Sequence, residues 1–412
     1  MLTAAITKMR TRSDHALWVL IQQLAVRGLI ALKFLLAARL LGPEQIGLVG
    51  IATLSLAIVE SLSDTGLAQA VVQRRSKISP QEAGAVWTLQ MIRGLVLAIA
   101  LLLLAVPIAA LFKVSASAGL VALAAIIPLL RNAFNPGVFL VQRERNFRQL
   151  SIYEASAALL DFATTLILIN LGLGAMSILL GNITSDITKL LLSWTWLRTP
   201  LKPTLEWRLI RELTSFGKWI WGASLVTLVL NQLDKVLVVR FLGTADFGIY
   251  QVASRIAQLV LADASVALGQ YLFPTFAQRH RVSQKAGKDY FLWVLQRFIP
   301  VAGFIALLLA VMAKLIVSVV LGPEWMGVIP VLRIMALSMF MGGVIAILVA
   351  YCRAVGAPEI VAQAVTVQLF VLMFSAPLLI FQFGSTGMAA ASAIALIAAT
   401  VYFSTKIKNG VK

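Results

Sequence analysis

Cysteine is almost missing. Cys352 is the single one in 412 residues, so no intramolecular disulfide can form. Histidine is nearly as scarce: His15 and His280 fall in or near loops, which excludes a metal-ligand cluster and any credible Ser/His/Asp or Cys/His catalytic arrangement. There is no G-x-x-x-x-G-K-[S/T] phosphate loop. Lys218 and Lys288 follow glycines, but Glu212 and Val282 stand where the first glycine belongs. Charged residues make up 13% of the chain, against about a quarter of a soluble domain. So sparse a charge leaves no hydrophilic catalytic domain. An enzyme is not expected, and no cofactor beyond a coupling proton or sodium ion.

What fills the chain is hydrocarbon. Sixty per cent of the residues are hydrophobic and the mean hydropathy is +0.92. Runs such as "GLVLAIALLLLAVPIAALF" at 94–112 are long enough to cross a bilayer as helices. We expect an all-α polytopic membrane protein with twelve spans: 15–38, 46–68, 84–112, 116–140, 151–171, 174–197, 216–241, 246–270, 290–320, 327–351, 358–383 and 387–405. The basic start, "MLTAAITKMRTRSD", leads into a long run carrying Arg27 and Lys33, which reads as a first span rather than a cleaved signal peptide.

The net charge of +18 invites a nucleic-acid reading, but the cations are spread over short loops with no soluble domain to hold them. With both termini cytoplasmic, 22 of the 35 lysines and arginines fall inside and three, Arg39, Lys113 and Arg240, outside. So lopsided a split fits the positive-inside rule and fixes the orientation.

A short pattern then recurs. R-x-L-G-x-x-x-[I/F]-G occurs at 39–47 and again at 240–248, each time between the first and second span of a half. "IPLLR" at 127–131 returns as "IPVLR" at 329–333, and "GAM" at 174–176 has a weaker echo in "GMA" at 387–389. Two halves of six spans follow: an N-lobe over 1–200, a basic cytoplasmic linker over 201–215 and a C-lobe over 216–412. Six is even, so the repeats enter the membrane from the same side and are parallel. Internal repeats of this kind mark secondary transporters, with a site near the midplane.

Cations inside the spans include Arg27, Lys33, Arg93, Arg131, Lys189, Lys235, Arg255, Arg297 and Arg333. Each costs about 2.5–3.5 kcal/mol at mid-bilayer on insertion scales, so each needs a partner, a wet cavity or a snorkelling route to the interface. Arg27 lies near mid-depth with Gln23 on its face. Thr53, Ala57, Glu60 and Asp64 make a stripe on the second span, Thr227, Asn231 and Asp234 on the seventh, and Gln251, Arg255 and Gln258 on the eighth. Such stripes imply a shared aqueous cavity. Arg27, Lys33 and Arg255 would attract an anion there, and the planar fork of arginine suits phosphate. Glu60, Asp64 and Asp234 either neutralise the empty cavity or bind a coupling cation. Asp186 and Lys189, at i and i+3, read as a local structural pair. Arg39 and Arg240 cap helix C-termini or act as outer-gate arginines.

Three longer stretches carry a resemblance. "LLAARLLGPEQIGLVGIATLSLAIVESLSDTGLAQAVVQRR" at 35–75, "NQLDKVLVVRFLGTADFGIYQVASRIAQL" at 231–259 and "LGPEWMGVIPVLRIMAL" at 321–337 resemble, in order and spacing, the Wzx-type oligosaccharide flippases. That superfamily also contains the lipid II flippases and the MATE drug exporters. The resemblance implies two six-helix lobes in a V, alternating access, and an undecaprenyl-diphosphate-linked oligosaccharide as cargo for O-antigen, capsule or exopolysaccharide. Partners would be membrane lipids and the polymerase or chain-length and export machinery, with no nucleic acid. Arg27 and Arg255 fall in the helices that carry cavity arginines in lipid II flippases. Several relatives have fourteen spans rather than twelve, which leaves the handling of the lipid tail open. Two other readings stand beside this one. A multidrug antiporter of the same fold would favour a more acidic cavity. A membrane scaffold would use the polar stripes as glue between helices.

Overall fold

The computed structural model describes residues 2–63, 79–144, 146–204 and 217–408, and every regular element among them is helical. In chain order these are α1 (Leu2–Leu62), α2 (Pro80–Phe112), α3 (Ser117–Ala124), α4 (Ile126–Asn132), α5 (Gly137–Arg143), α6 (Phe147–Asn170), α7 (Met176–Thr195), α8 (Gly217–Leu242), α9 (Thr244–Ala257), α10 (Asp263–Val282), α11 (Gln284–Ile316), α12 (Val328–Ala354) and α13 (Pro358–Lys408). Gln258–Ala262 and Val317–Leu321 are π-helical, and Pro323–Trp325 is a 3-10 turn.

Among the described residues six helical segments, or seven counting a bent pair, are long and apolar enough to cross a membrane. Two of them, in α1 and α13, each hold two spans. They turn at Gly42 (φ 76°) and Gly384 (φ 58°), where a side chain would be strained. The more charged α7, α8 and α9–α10 stand where the sixth, seventh and eighth spans are expected. The expected fourth span is broken: 117–132 and 137–143 meet at 63°. Asn135 holds the break, its Oδ1 accepting from the backbone N–H of Gly137 (2.9 Å) and of Thr199 (2.9 Å). Helix starts follow local chemistry. Ser79 and Glu82 form a capping box ahead of Pro80, and Ser283 accepts from the N–H of Ala286 at the start of α11.

Large apolar side chains point outward in numbers that water would not tolerate. Leu103 and Phe374 are each 72% exposed, and Val106, Phe304 and Phe381 stand out in the same way. Lipid is the solvent that such a surface suits, and the chain is a multi-pass membrane protein.

The chain packs as two compact units, Met1–Leu41 with Leu48–Leu233 and Gly42–Gly47 with Asp234–Lys412. The division falls inside α8. The linker expected over 201–215 lies largely outside the described residues. In the second unit, Phe276, Phe291 and Tyr351 form an aromatic core, with the Phe291 and Tyr351 rings stacked at 4.1 Å. Cys352, Ile360, Phe403 and Ile407 join it, so the ends of α10, α12 and α13 and the starts of α11 and α13 meet at one end of this unit.

Turns are the second unit's other signature. Gly42, Gly243 and Gly322 each follow a leucine and share one backbone conformation, with φ/ψ of 76/173°, 87/−172° and 101/−177°. That region is essentially reserved for glycine. Residues 42–47 pack directly on 243–248. A Cβ on Gly47 would overlap the Thr244 carbonyl, and one on Gly248 would overlap the Pro43 carbonyl. The repeat offset of 201 converts each contact into the other.

Candidate functional site

Within the first unit the intramembrane charges pair across helices. The Lys33 ammonium on α1 donates to both carboxylate oxygens of Asp161 on α6 (2.8 and 2.7 Å) and to Asn182 Oδ1 on α7 (2.8 Å). Thr165 donates its hydroxyl to Asp161 Oδ1 at 3.3 Å, and Gly181 leaves room for the cluster. Lys33 is only 7% exposed, so it does not snorkel. Its three N–H donors all have acceptors. Expected in the anion-binding set, it has no donor left for a phosphate in this arrangement.

A second cluster joins α1, α2, α4 and α7. Arg131 bridges Glu60 (3.3 Å) and Asp186 (3.1 Å), and Arg93 donates to the Ser63 hydroxyl (3.0 Å) and the Glu60 carbonyl (3.1 Å). Lys189 binds Glu154 on α6 at 2.6 Å. Asp186 and Lys189 therefore do not pair with each other as their spacing suggested. Each has a partner on another helix, where the approach is shorter and part of the water is excluded. Glu60 is tied to Arg131 and half-buried, Arg27 is exposed on α1, and Asp64 lies outside the described residues. Asp161, Asn182 and Glu154 were not anticipated. The signal for Asp161 was a lone carboxylate in an apolar run.

In the second unit the Tyr250 hydroxyl donates to Asp234 Oδ2 at 2.7 Å. Asp234 Oδ1 is buried and has no hydrogen-bond partner among the described residues. Gln251 and Arg255 are half-buried on α9, and Gln258 donates to the Ser254 hydroxyl at 3.4 Å. The Arg255 side chain makes no hydrogen bond or ion pair with any described residue. It stands in the last turn of α9, just before the π-helical 258–262, a distortion frequent at functional sites. Arg240 closes the last turn of α8 with its guanidinium 5.9 Å from the Phe241 ring, while Arg39 and Asn231, both of the first unit, are exposed. Among the described residues no three His, Cys, Asp or Glu gather as metal ligands.

Among the described residues the second unit thus offers one guanidinium, Arg255, and one buried carboxylate oxygen, Asp234 Oδ1, without a hydrogen-bond partner. With that chemistry in place, the comparisons with known proteins are specific. The profile of the family described as "Polysaccharide biosynthesis protein" matches residues 36–330. The lipopolysaccharide biosynthesis protein WzxC of Escherichia coli (strain K12) is 26% identical over 326 residues, covering 78% of this chain and 65% of WzxC. The succinoglycan biosynthesis transport protein ExoT of Rhizobium meliloti (strain 1021) is 24% identical over 318 residues, covering 76% and 64%. The chain thus spans slightly under two thirds of either relative. Among solved structures, the inward closed lipid II flippase MurJ superposes with a TM-score of 0.75 at 13% identity, over 96% of this chain and 87% of that one. An inward-facing MATE multidrug transporter superposes with 0.67 at 14% identity, over 96% and 98%. At these identities the likeness is one of fold.

Proposed function

The chain belongs to the polysaccharide biosynthesis protein family, and from that premise we propose that it is a flippase rather than an enzyme. Its cargo is an undecaprenyl-diphosphate-linked oligosaccharide, carried from the inner to the outer leaflet of the cytoplasmic membrane by alternating access. The termini are cytoplasmic. The names of the two relatives, one for lipopolysaccharide and one for succinoglycan, support a glycan cargo.

The observation that carries this reading is Arg255. A cation within a span costs about 2.5–3.5 kcal/mol on insertion scales. In the first unit that cost is offset by carboxylates, at Lys33, Arg131 and Lys189. Arg255 has no such partner among the described residues, which leaves its guanidinium available to an anionic cargo. A diphosphate matches it, because the guanidinium offers two parallel donors to two phosphate oxygens. Asp234, with one carboxylate oxygen held by Tyr250 and the other buried without a hydrogen-bond partner among the described residues, is the proposed site of the coupling proton or sodium ion.

Arg255→Ala removes a charge-assisted bond of about 1.5–3 kcal/mol, roughly ten- to a hundredfold in affinity. Complementation of a strain lacking the protein should show surface polysaccharide falling accordingly while the amount of protein in the membrane stays unchanged. Arg255→Lys separates charge from shape: failure of lysine as well assigns the role to the planar fork. Normal polysaccharide in Arg255→Ala would sink the anion site.

A further inference from the structure

The second unit contains a groove that none of the residues above accounts for. It lies between α10 and α12, with a volume of about 590 Å³. Gly342, Ala346, Val349 and Arg353 recur along α12 at intervals of three or four, so they line one face of that helix. From Gly342 to Arg353 the face runs about 16 Å at 1.5 Å per residue, close to half of the roughly 30 Å hydrocarbon core. Gly269 and Phe273 supply the α10 wall. A Cβ on Gly269 would stand 3.1 Å from the Ala346 carbonyl, so the helices meet there, whereas nothing lies within 4 Å of a Cβ on Gly342. The groove is therefore closed along one wall and empty at its glycine end.

Its other end carries charge. Arg353 lies in the last turn of α12, exposed, and its side chain has no hydrogen-bond or ion-pair partner among the described residues. The shared core places it at the end of the unit where α10 turns into α11 and α13 finishes, the end whose chain segments also carry Arg279, Arg281, Lys285, Lys288, Lys406 and Lys408. Such an accumulation marks the cytoplasmic side.

We infer that this groove seats the lipid of the cargo in the inner leaflet, with one isoprenoid chain along Gly342, Ala346 and Val349 and its phosphate on Arg353. The inference rests on the flippase reading above. The walls are one face of each of two helices, which gives a channel for a single chain. A prenyl phosphate has one chain and a phospholipid two. The unpartnered guanidinium at the leaflet end supplies the charge complementarity for a phosphate.

The test is binding of undecaprenyl phosphate, without glycan, to the full chain in nanodiscs, followed by native mass spectrometry. Gly342→Phe fills the open end without a backbone clash, and Arg353→Gln removes the charge. Each should weaken binding at least about tenfold, Arg353→Lys should retain most of it, and a tenfold excess of phosphatidylglycerol should not displace the probe. Wild-type affinity in both Gly342→Phe and Arg353→Gln, or displacement by phosphatidylglycerol, overturns the inference. The two proposals fail separately. If Arg255→Ala abolishes surface polysaccharide while the groove variants bind normally, only the groove falls. If Arg255→Ala is silent while the groove binds the probe as described, the anion site at Arg255 falls and the groove stands.

Discussion

Lys33→Ala or Asp161→Ala alone is expected to destabilise the first unit by about 3–5 kcal/mol, the cost of leaving one charge of a buried pair without its partner. The pair is buried on both sides, with each side chain 8% exposed. It joins residues 128 apart in the chain, so losing it also loosens α1 from α6. Asn182→Ala removes one acceptor of the three and should cost less, about 1.5–3 kcal/mol for a hydrogen bond to a charged group. Lys33→Met combined with Asp161→Leu takes away both charges while keeping volume, and should recover most of the loss. Thermal unfolding of the purified protein in detergent measures all four. Single variants that melt with the wild type would remove the pair from the account of stability. A double variant as damaged as the two singles summed would assign the effect to packing rather than charge.

The contrast between this pair and the spans shows what the sequence disclosed. Spans were legible because burial in lipid is a property of composition: twenty apolar residues suffice, and no partner need be known. The repeat was legible because Gly42 and Gly243 need a conformation that other residues resist, so the same letters return at the same place. A third copy of that turn, at Leu321–Gly322, carried the same "LGPE" as 41–44 and was passed over. Ion pairs were not legible. Asp186 and Lys189 have the spacing of a local pair, yet Asp186 turns to Arg131, 55 residues back, and Lys189 to Glu154, 35 back. Sequence spacing counts neighbours on one helix. In a low-dielectric bundle the shortest well-aligned approach decides, and that depends on which helices pack together. Lys33 shows the same thing: its carboxylate partner, Asp161, lies 128 residues away on another helix. Arg255 needed no partner to be noticed, since a lone arginine in a polar stripe is visible in one dimension.

Alanine at Gly47 should weaken the second unit by about 1–3 kcal/mol, and alanine at Gly248 by nearly the same amount, the usual range for forcing a methyl into a filled space. The equality follows from the repeat. Gly47 is backed by the Thr244 carbonyl and Gly248 by the Pro43 carbonyl, and each contact is the other shifted by one repeat. In both places the obstacle is backbone, which cannot rotate aside as a side chain can, so leucine should be worse than alanine. Gly28→Ala is the control: it lies in a helix with nothing within 4 Å of the new methyl, and alanine there should be neutral or stabilising by up to about 1 kcal/mol. The Gly47→Ala/Gly248→Ala double variant separates local strain from a shared interface. Once the first methyl has pushed 42–47 away from 243–248, the second meets less resistance, so the double should cost clearly less than the sum of the singles. Strict additivity, or a Gly47→Ala protein as stable as Gly28→Ala, would mean that the paired turns do not hold each other. A shared loss would make the recurring R-x-L-G-x-x-x-[I/F]-G a contact specified from both sides, with its glycines fixed by what the opposite turn brings against them.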